Sequence, residues 1–207
     1  MSGRFITLEG GEGVGKSTQL RRLADALGAR GLDVVTTREP GGSPGAEAIR
    51  RLLMEGDVER WTAQTEALLF AAARSDHVAR VIKPALDHGA WVLCDRYIDS
   101  SLAYQGRAGG IGMASIMRLH EIGSGGLLPD RTLLLDLALY DAAWRELARD
   151  KGNLDRFGRK SGSYHEGVEE AFRELAEHNP DRYRRVDADG SEADVTERLL
   201  AAVEDLL

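Results

Sequence analysis

The sequence predicts an α/β fold in which a central five-stranded parallel sheet is covered by helices on both faces. Short apolar runs alternate with helical patterns of ten or more residues, as expected when each strand is followed by a helical crossover. Strands buried on both faces have this continuous apolar character. The five runs are Phe5 to Leu8, Asp33 to Thr37, Trp91 to Cys94, Thr132 to Leu135 and Tyr183 to Val186. Ligands of such sheets bind beyond the carboxyl ends of the strands, so the residues that follow each run are candidates for the site.

Length and composition favour one domain over residues 1–207 and exclude several classes of protein. The formal net charge of −7 argues against a protein that follows a nucleic-acid backbone, because such proteins carry an excess of Lys and Arg. No run approaches the ~20 apolar residues of a membrane span, and the first residues lack the apolar stretch of a signal peptide. The single cysteine, Cys94, excludes an intrachain disulfide and fits a cytoplasmic protein.

The first strand leads into a glycine-rich loop with the pattern G-x-x-x-x-G-K-[ST]. In this pattern backbone N–H groups surround a phosphate, the lysine reaches the outer phosphates, and the hydroxyl binds Mg²⁺. An apolar helical face follows, so the helix N-terminus faces the anion. A plain turn is the alternative, but strand, loop and helix occur in the required order. The predicted ATP-binding residues here are Gly10, Gly11, Glu12, Gly13, Val14, Gly15, Lys16, Ser17 and Thr18.

Two further segments supply candidates for a second nucleotide. A turn-rich loop over 38–45, which contains Arg38 and Pro40, follows the second strand and leads to a helix with Arg50. A solvated helix face is an equal alternative for Arg50. The longest helical pattern, 62–87, places Phe70 and Arg74 one turn apart. An aromatic ring and a guanidinium so spaced can stack on a base and donate to its edge, although a core Phe beside a surface Arg is the commoner arrangement.

The third strand ends in a polar stretch that begins with Asp95 and Arg96 and runs to Gly106. An aspartate there can hold Mg²⁺ or its waters, and the neighbouring arginine can bind a phosphate through paired donors. A surface ion pair is the alternative. The position at a strand end favours the functional interpretation.

A basic, glycine-rich and serine-rich segment at about 150–163 follows the fourth strand and a predicted helix over 141–149. It contains Lys151, Arg156, Arg159 and Lys160, which suits a lid over phosphates, although a solvated loop is the alternative. Helices are predicted over 164–178 and 192–206. The five histidines have no metal-ligand spacing.

Together these segments predict phosphoryl transfer between nucleotides, which needs alignment and charge neutralisation more than acid-base chemistry. The chain also resembles the thymidylate kinase family nearly end to end. The specific motifs are Thr37-Arg38-Glu39-Pro40-Gly41-Gly42, Phe70-Ala71-Ala72-Ala73-Arg74, Asp95-Arg96-Tyr97, Ala103-Tyr104-Gln105-Gly106 and Leu154-Asp155-Arg156. The resemblance implies a P-loop NTPase-type three-layer fold, a homodimer, and the reaction of ATP with dTMP to give ADP and dTDP with Mg²⁺.

The resemblance also implies roles for individual residues. Phe70 would stack on thymine, Arg74 would meet its O4, and Tyr104 would exclude a ribose 2′-hydroxyl. The remaining expected dTMP-binding residues are Glu12, Arg38, Pro40, Arg50, Arg96, Ser100, Ser101 and Gln105. Glu9, Ser17 and Asp95 would serve the metal. Lys16, Arg96 and Arg156 are the expected catalytic cations.

The family divides by whether an auxiliary cation lies in the phosphate loop or in the lid. Glu12 and Gly13 occupy the loop, so the chain resembles the bacterial type with a basic lid. The candidate lid cations are Arg149, Lys151, Arg156 and Arg159, of which Arg149 and Lys151 are also expected to bind ATP. Lys151 replaces the usual Arg, and Gly158 stands where Glu is common.

Two other functions use the same loop. The first is a kinase for another nucleoside monophosphate or a deoxynucleoside. The second is a regulatory ATPase or GTPase, but the Asn-Lys-x-Asp motif of GTP-dependent switches is absent from the sequence. The run from Asp187 to Gly190 matches the short Asp-x-x-Gly motif and is interpreted as an ordinary turn.

Overall fold

A computed structural model describes residues 3–137 and 155–207. The strands are β1 (Arg4–Glu9), β2 (Val34–Arg38), β3 (Trp91–Asp95), β4 (Arg131–Asp136) and β5 (Tyr183–Asp187). The helices are α1 (Lys16–Ala29), α2 (Pro44–Met54), α3 (Ala63–His77), α4 (Lys83–Asp87), α5 (Ile98–Ser101), α6 (Met113–Ser124), α7 (Gly162–His178) and α8 (Glu192–Ala201). Two π-helical segments, Val78–Ile82 and Leu102–Ala108, continue α3 and α5, and a 3₁₀ turn, Glu204–Leu206, follows α8.

The five strands form one parallel sheet in the order β2-β3-β1-β4-β5. From β1 the chain passes to β2 at one edge, returns to β3 between β2 and β1, and then crosses to the other side through β4 and β5. The strand order therefore reverses beside β1, and the loop after β1 opens at the point where sheets of this kind bind ligands.

Side chains of alternating strand residues enter two separate cores, one on each face of the sheet. Phe5 of β1 packs in the core that contains residues of α3, α6 and α7. Its neighbour Ile6 packs in the core formed with α1 and α8. Because successive residues of a strand point to opposite faces, this arrangement covers the sheet on both sides. The predicted five-stranded α/β fold is confirmed.

The helical predictions differ from the structure in four places. The sequence pattern does not predict α5 and its π-helical continuation. The predicted helix 62–87 is continuous but contains the π-helical segment Val78–Ile82. The predicted helix 192–206 ends at Ala201. The sequence pattern does not predict α6, because its buried face includes His120 and Ser124 and lacks a clear apolar periodicity. The predicted helix 141–149 lies outside the described residues. In the part of the chain that is described, no helix has both the length and the apolar character of a membrane span.

Candidate active site

The phosphate loop joins β1 to α1 and has a backbone that favours glycine at two positions. Gly10 has a φ of +135°, and a Cβ there would lie 2.6 Å from the Leu135 carbonyl oxygen. Gly15 caps α1 with a φ of +92°. A side chain at either position would strain the loop or close it. The first residue of α1 is Lys16, so the N-terminal dipole of the helix points into the loop.

Lys16 is buried and contacts the loop's own backbone. Its Nζ donates to the carbonyl oxygen of Gly10 at 3.3 Å and to that of Gly11. Burial, followed by the nearby Arg96 guanidinium, lowers the pKa of Lys16 to about 8. Lys16 is therefore mostly charged at neutral pH, and its ammonium group is oriented toward the place where a phosphate would lie.

Arg96 is the second cation at the loop. It donates to the Gly10 carbonyl oxygen at 2.9 Å, to Ser100 Oγ at 3.0 Å and to Glu12 Oε1 at 2.7 Å. Its guanidinium carbon lies 5.1 Å from the centre of the Tyr104 ring, and the Tyr104 hydroxyl donates to Glu12 Oε1 at 3.3 Å. These contacts bring Arg96, which is predicted to bind the dTMP phosphate, next to Glu12 and Tyr104, which are predicted to lie at the sugar.

The three residues predicted to serve a metal occupy two different environments. Ser17 Oγ donates to Asp95 Oδ2 at 2.5 Å, and both residues line the cavity beside Lys16. Two hard oxygen donors at the phosphate loop fit Mg²⁺, which binds few protein ligands and keeps several waters.

Glu9 is fully buried, and its carboxylate already accepts from the Tyr97 backbone N–H at 2.7 Å and from Ser100 Oγ at 2.6 Å. Burial, with a smaller contribution from Asp99, raises the pKa of Glu9 to about 7. Within the described residues, no group of three or more His, Cys, Asp or Glu side chains forms a metal centre.

Arg74 lies one helical turn after Phe70 on α3 and is held by a buried carboxylate. Its Nε donates to Glu39 Oε2 at 2.8 Å, and its Nη2 donates to Ser101 Oγ at 2.7 Å. The other Glu39 oxygen lies 3.0 Å from His77 Nδ1. This network leaves the Arg74 guanidinium in a fixed orientation at the cavity wall.

The loop after β2 supplies the other predicted arginines. Arg50 Nη1 donates to the Pro40 carbonyl oxygen at 2.7 Å, and burial, followed by the Arg38 charge, lowers the pKa of Arg50. Arg38 is exposed, and its Nη2 donates to both carboxylate oxygens of Glu47, at 3.0 and 3.2 Å. Both guanidinium groups line the same cavity as Lys16.

One cavity of about 670 Å³ connects these groups. It extends from the phosphate loop to the α3 face and, at another side, to residues around β5 and α8. The predicted residues that line it are Glu12, Gly13, Val14, Gly15, Lys16, Ser17, Thr18, Arg38, Pro40, Arg50, Phe70, Arg74, Asp95, Arg96, Ser100, Ser101, Tyr104 and Gln105. Gly10 and Gly11 do not line it, but their carbonyl oxygens hold the two cations.

The structure does not bring Arg156 to the phosphate loop. Its side chain is 0% exposed and donates to the Leu53 carbonyl oxygen at 2.9 Å, to the Val58 carbonyl oxygen at 3.0 Å and to Glu66 Oε2. The exposed Arg159 donates to the Gly56 carbonyl oxygen at 2.6 Å. Arg149 and Lys151 lie outside the described residues. Among the described residues, the cations that contact the phosphate-loop backbone are Lys16, at the start of α1, and Arg96, directly after β3.

Sequence reasoning missed several residues that hold or line the site. Glu39 and His77 hold Arg74, Glu66 meets Arg156, and Phe157 lines the cavity 5.6 Å from the Phe70 ring centre. Glu66 precedes Phe70 by four residues, so the helical spacing that links Phe70 to Arg74 also indicates Glu66. Nothing in the local sequence signals the Glu39 contacts.

Comparison with known proteins identifies the family. The family model described as thymidylate kinase matches residues 8–199 of the chain. The chain belongs to the thymidylate kinase family. The thymidylate kinase of Rhizorhabdus wittichii is 61% identical over 207 residues, which is 100% of both chains. That of Caulobacter vibrioides is 50% identical over 205 residues, covering 99% of this chain and 96% of the relative.

A solved structure gives the same result for the fold. The crystal structure of thymidylate kinase from Ehrlichia chaffeensis superposes with a TM-score of 0.77 at 30% identity and covers 100% of both chains. The predicted family, the P-loop NTPase-type fold and the assignment to nucleoside monophosphate kinases are confirmed.

Proposed function

We propose that this thymidylate kinase family member transfers the γ-phosphoryl group of ATP to dTMP and releases ADP and dTDP. The observation that carries the proposal is the single cavity that joins Lys16 and Ser17 to Phe70 and Arg74. A phosphate site at one end and an aromatic, donor-bearing wall at the other suit two nucleotides whose phosphates meet between them.

The α3 face would bind the thymine base. Phe70 would stack on the ring, and Arg74, which has only donors, would meet O4. Ser100, Ser101 and Gln105 would complete the pocket, with Tyr104 and Glu12 beneath the sugar. The Arg74 network supports this assignment, because a preformed donor discriminates between base edges without reorganising. The dTMP phosphate would bind Arg96, Arg50 and Arg38 near Pro40.

Lys16 and Arg96 would neutralise the charge that develops between the two nucleotides. The acceptor phosphate is already ionised, so the reaction needs no general base. In the structure Lys16 donates to neutral backbone oxygens, and Arg96 donates to a backbone oxygen and to the Glu12 carboxylate. Phosphate oxygens are stronger acceptors than backbone oxygens and would replace them. Arg156 would have to leave Glu66 to take part, so Arg149 and Lys151 are the stronger candidates for cations supplied by the lid at 150–163.

Ser17 and Asp95 would hold Mg²⁺, which would supply positive charge that neutralises the ATP phosphates. Glu9 would serve the metal through water, since its carboxylate oxygens already accept hydrogen bonds from Tyr97 and Ser100.

We also propose that the enzyme is a homodimer in the cytoplasm. Leu68 of α3 and Ile122 of α6 are 56% and 85% exposed, and the two helices pack against each other. Large apolar side chains on one paired-helix face suit a subunit interface. The single domain over 1–207 remains a prediction, as does the location inferred from the single cysteine.

The acceptor profile tests the proposed reaction. A coupled assay of ADP release should give a preference of at least about tenfold in kcat/KM for dTMP over dUMP and dCMP. Phe70→Ala should raise the KM for dTMP by about tenfold, within the ~1–3 kcal/mol range of base–aromatic stacking. Phe70→Leu is the control that keeps apolar volume but removes the ring. Faster turnover of dCMP or AMP than of dTMP would reject the proposal.

A further inference from the structure

Glu66 extends the base-facing side of α3 by one turn. Glu66, Phe70 and Arg74 are spaced by four residues and therefore lie along one face of the helix. Phe70 and Arg74 line the cavity, whereas Glu66 is buried behind the wall. A buried carboxylate is costly unless it is paired, so its contacts indicate what it holds in place.

In the described part of the chain, three groups surround the Glu66 carboxylate, and all of them are donors. Oε2 accepts from Arg156 Nη2. Oε1 accepts from Gln105 Nε2 at 3.0 Å, and Lys160 Nζ lies 3.5 Å from the same oxygen. An ionised carboxylate only accepts hydrogen bonds. The side of the Gln105 amide that faces Glu66 must therefore be its nitrogen.

This contact determines which edge of Gln105 remains available to a ligand. Gln105 lines the cavity, and no donor within the described residues reaches its Oε1. We infer that Glu66 is a positioning residue for base specificity, because it directs the Gln105 carbonyl oxygen toward the pyrimidine. The inference rests on the proposed function, in which Gln105 lines the base pocket.

The hydrogen-bond pattern of pyrimidines gives this orientation its effect. Thymine and uracil carry a hydrogen on N3, which can donate to the Gln105 oxygen. Cytosine N3 carries no hydrogen, so its lone pair would face a lone pair of the Gln105 oxygen. A buried acceptor without a donor costs about 1–3 kcal/mol, so the orientation disfavours dCMP but does not distinguish dTMP from dUMP.

Glu66→Gln is expected to invert the Gln105 amide. Arg156 has only donors and would hold the oxygen of Gln at position 66, which leaves the new amide nitrogen facing Gln105. The Gln105 oxygen would then turn to accept from that nitrogen, and its own nitrogen would enter the pocket. That arrangement donates to cytosine N3 and no longer accepts from thymine N3–H.

The experiment measures kcat/KM of the full-length enzyme for dTMP, dUMP and dCMP. In Glu66→Gln, the ratio of dTMP to dCMP should fall roughly tenfold or more, carried by KM, while the ratio of dTMP to dUMP stays unchanged. In a Gln105→Met background, Glu66→Gln should have no further effect on the ratio of dTMP to dCMP. Glu170→Gln, an exposed carboxylate paired with Arg107 at 3.8 Å, is the matched control and should alter neither ratio.

A second variant keeps the test decisive if Glu66→Gln does not fold. Glu66→Met/Arg156→Met replaces the buried pair by apolar groups, which buried pairs often tolerate. The Gln105 amide would then be free to rotate, and the ratio of dTMP to dCMP should again fall. Because a ratio cancels losses in phosphoryl transfer, an unchanged ratio in the folded variants would overturn the inference. A wild-type enzyme that does not prefer dTMP to dCMP would instead reject the proposed function.

Discussion

The two ends of the cavity hold their cationic side chains differently. At the phosphate loop, Lys16 donates to backbone carbonyl oxygens and Arg96 divides its donors among Gly10, Ser100 and Glu12. At the base end, Arg74 is paired with the fully buried Glu39. Lys16 donates only to neutral acceptors, which are weaker than the carboxylate that holds Arg74, so its ammonium group can be transferred to an incoming phosphate. Arg96 would also have to share or leave the Glu12 carboxylate. In the proposed function, Lys16 and Arg96 would act on the reaction, whereas Arg74 would stay fixed and recognise the base.

The largest difference between the two ends should appear with Lys16→Ala. We expect kcat to fall by at least about 10³-fold, at the upper end of losses seen when a group that stabilises transition-state charge is removed. Stability should change little, because within residues 3–137 and 155–207 the Lys16 ammonium group hydrogen-bonds only to backbone oxygens. A coupled ADP assay and a thermal melt measure the two effects. A rise in KM with kcat unchanged would place Lys16 among the recognition residues.

At the base end, Glu39→Gln should affect stability and recognition instead. The change leaves the buried Arg74 without its charge partner, so we expect a loss of about 3 kcal/mol in the free energy of unfolding. The KM for dTMP should rise more than kcat falls. Glu192→Gln provides the control, since its pair with Arg22 is exposed and should contribute under about 1 kcal/mol. Equal losses in the two variants would contradict the role of Glu39.

The pH dependence of activity should report on the phosphate end. Burial favours the neutral form of Lys16, so its pKa is about 8 instead of 10.5, and the ammonium group is lost as the pH rises through 8. We expect kcat/KM for ATP to be level below pH 8 and to fall about tenfold per pH unit above it. Lys16→Arg should lack this decline at a lower overall rate. A wild-type profile that stays level to pH 10 would contradict the shifted pKa.

The smallest effect is expected from Tyr104→Phe. The hydroxyl makes a 3.3 Å contact with Glu12, whereas the ring packs beside the Arg96 guanidinium. We expect less than about a threefold change in kcat/KM for dTMP, since one neutral donor is removed from an acceptor that Arg96 also satisfies. If the Tyr104 ring excludes the ribose 2′-hydroxyl, Tyr104→Phe should still prefer dTMP to the corresponding ribonucleotide. Loss of that preference would assign the exclusion to the hydroxyl.

Local patterns in the sequence predicted the sheet and the phosphate loop because both depend on neighbouring residues. All five apolar runs are strands, and Gly10 to Ser17 adopts the expected loop. The residues that fix the base pocket depend on distant segments instead. Glu66 meets Arg156 across 90 positions in the chain, and no periodicity encodes that pairing. Arg156 illustrates the same limit, since a basic motif predicts charge but not whether the guanidinium faces a phosphate or a buried carboxylate.

Arg96 also has a backbone conformation that bears on how this enzyme can be improved. Its φ of +66° is left-handed, which costs a side-chain-bearing residue about 1–2 kcal/mol relative to glycine. The bend directs the guanidinium toward the phosphate loop as soon as β3 ends. Arg96→Gly would remove this backbone cost together with the hydrogen bonds to Gly10, Ser100 and Glu12, so heat resistance alone does not report whether the guanidinium that the proposed reaction needs is present. Directed evolution of this scaffold should select for catalysis in every round.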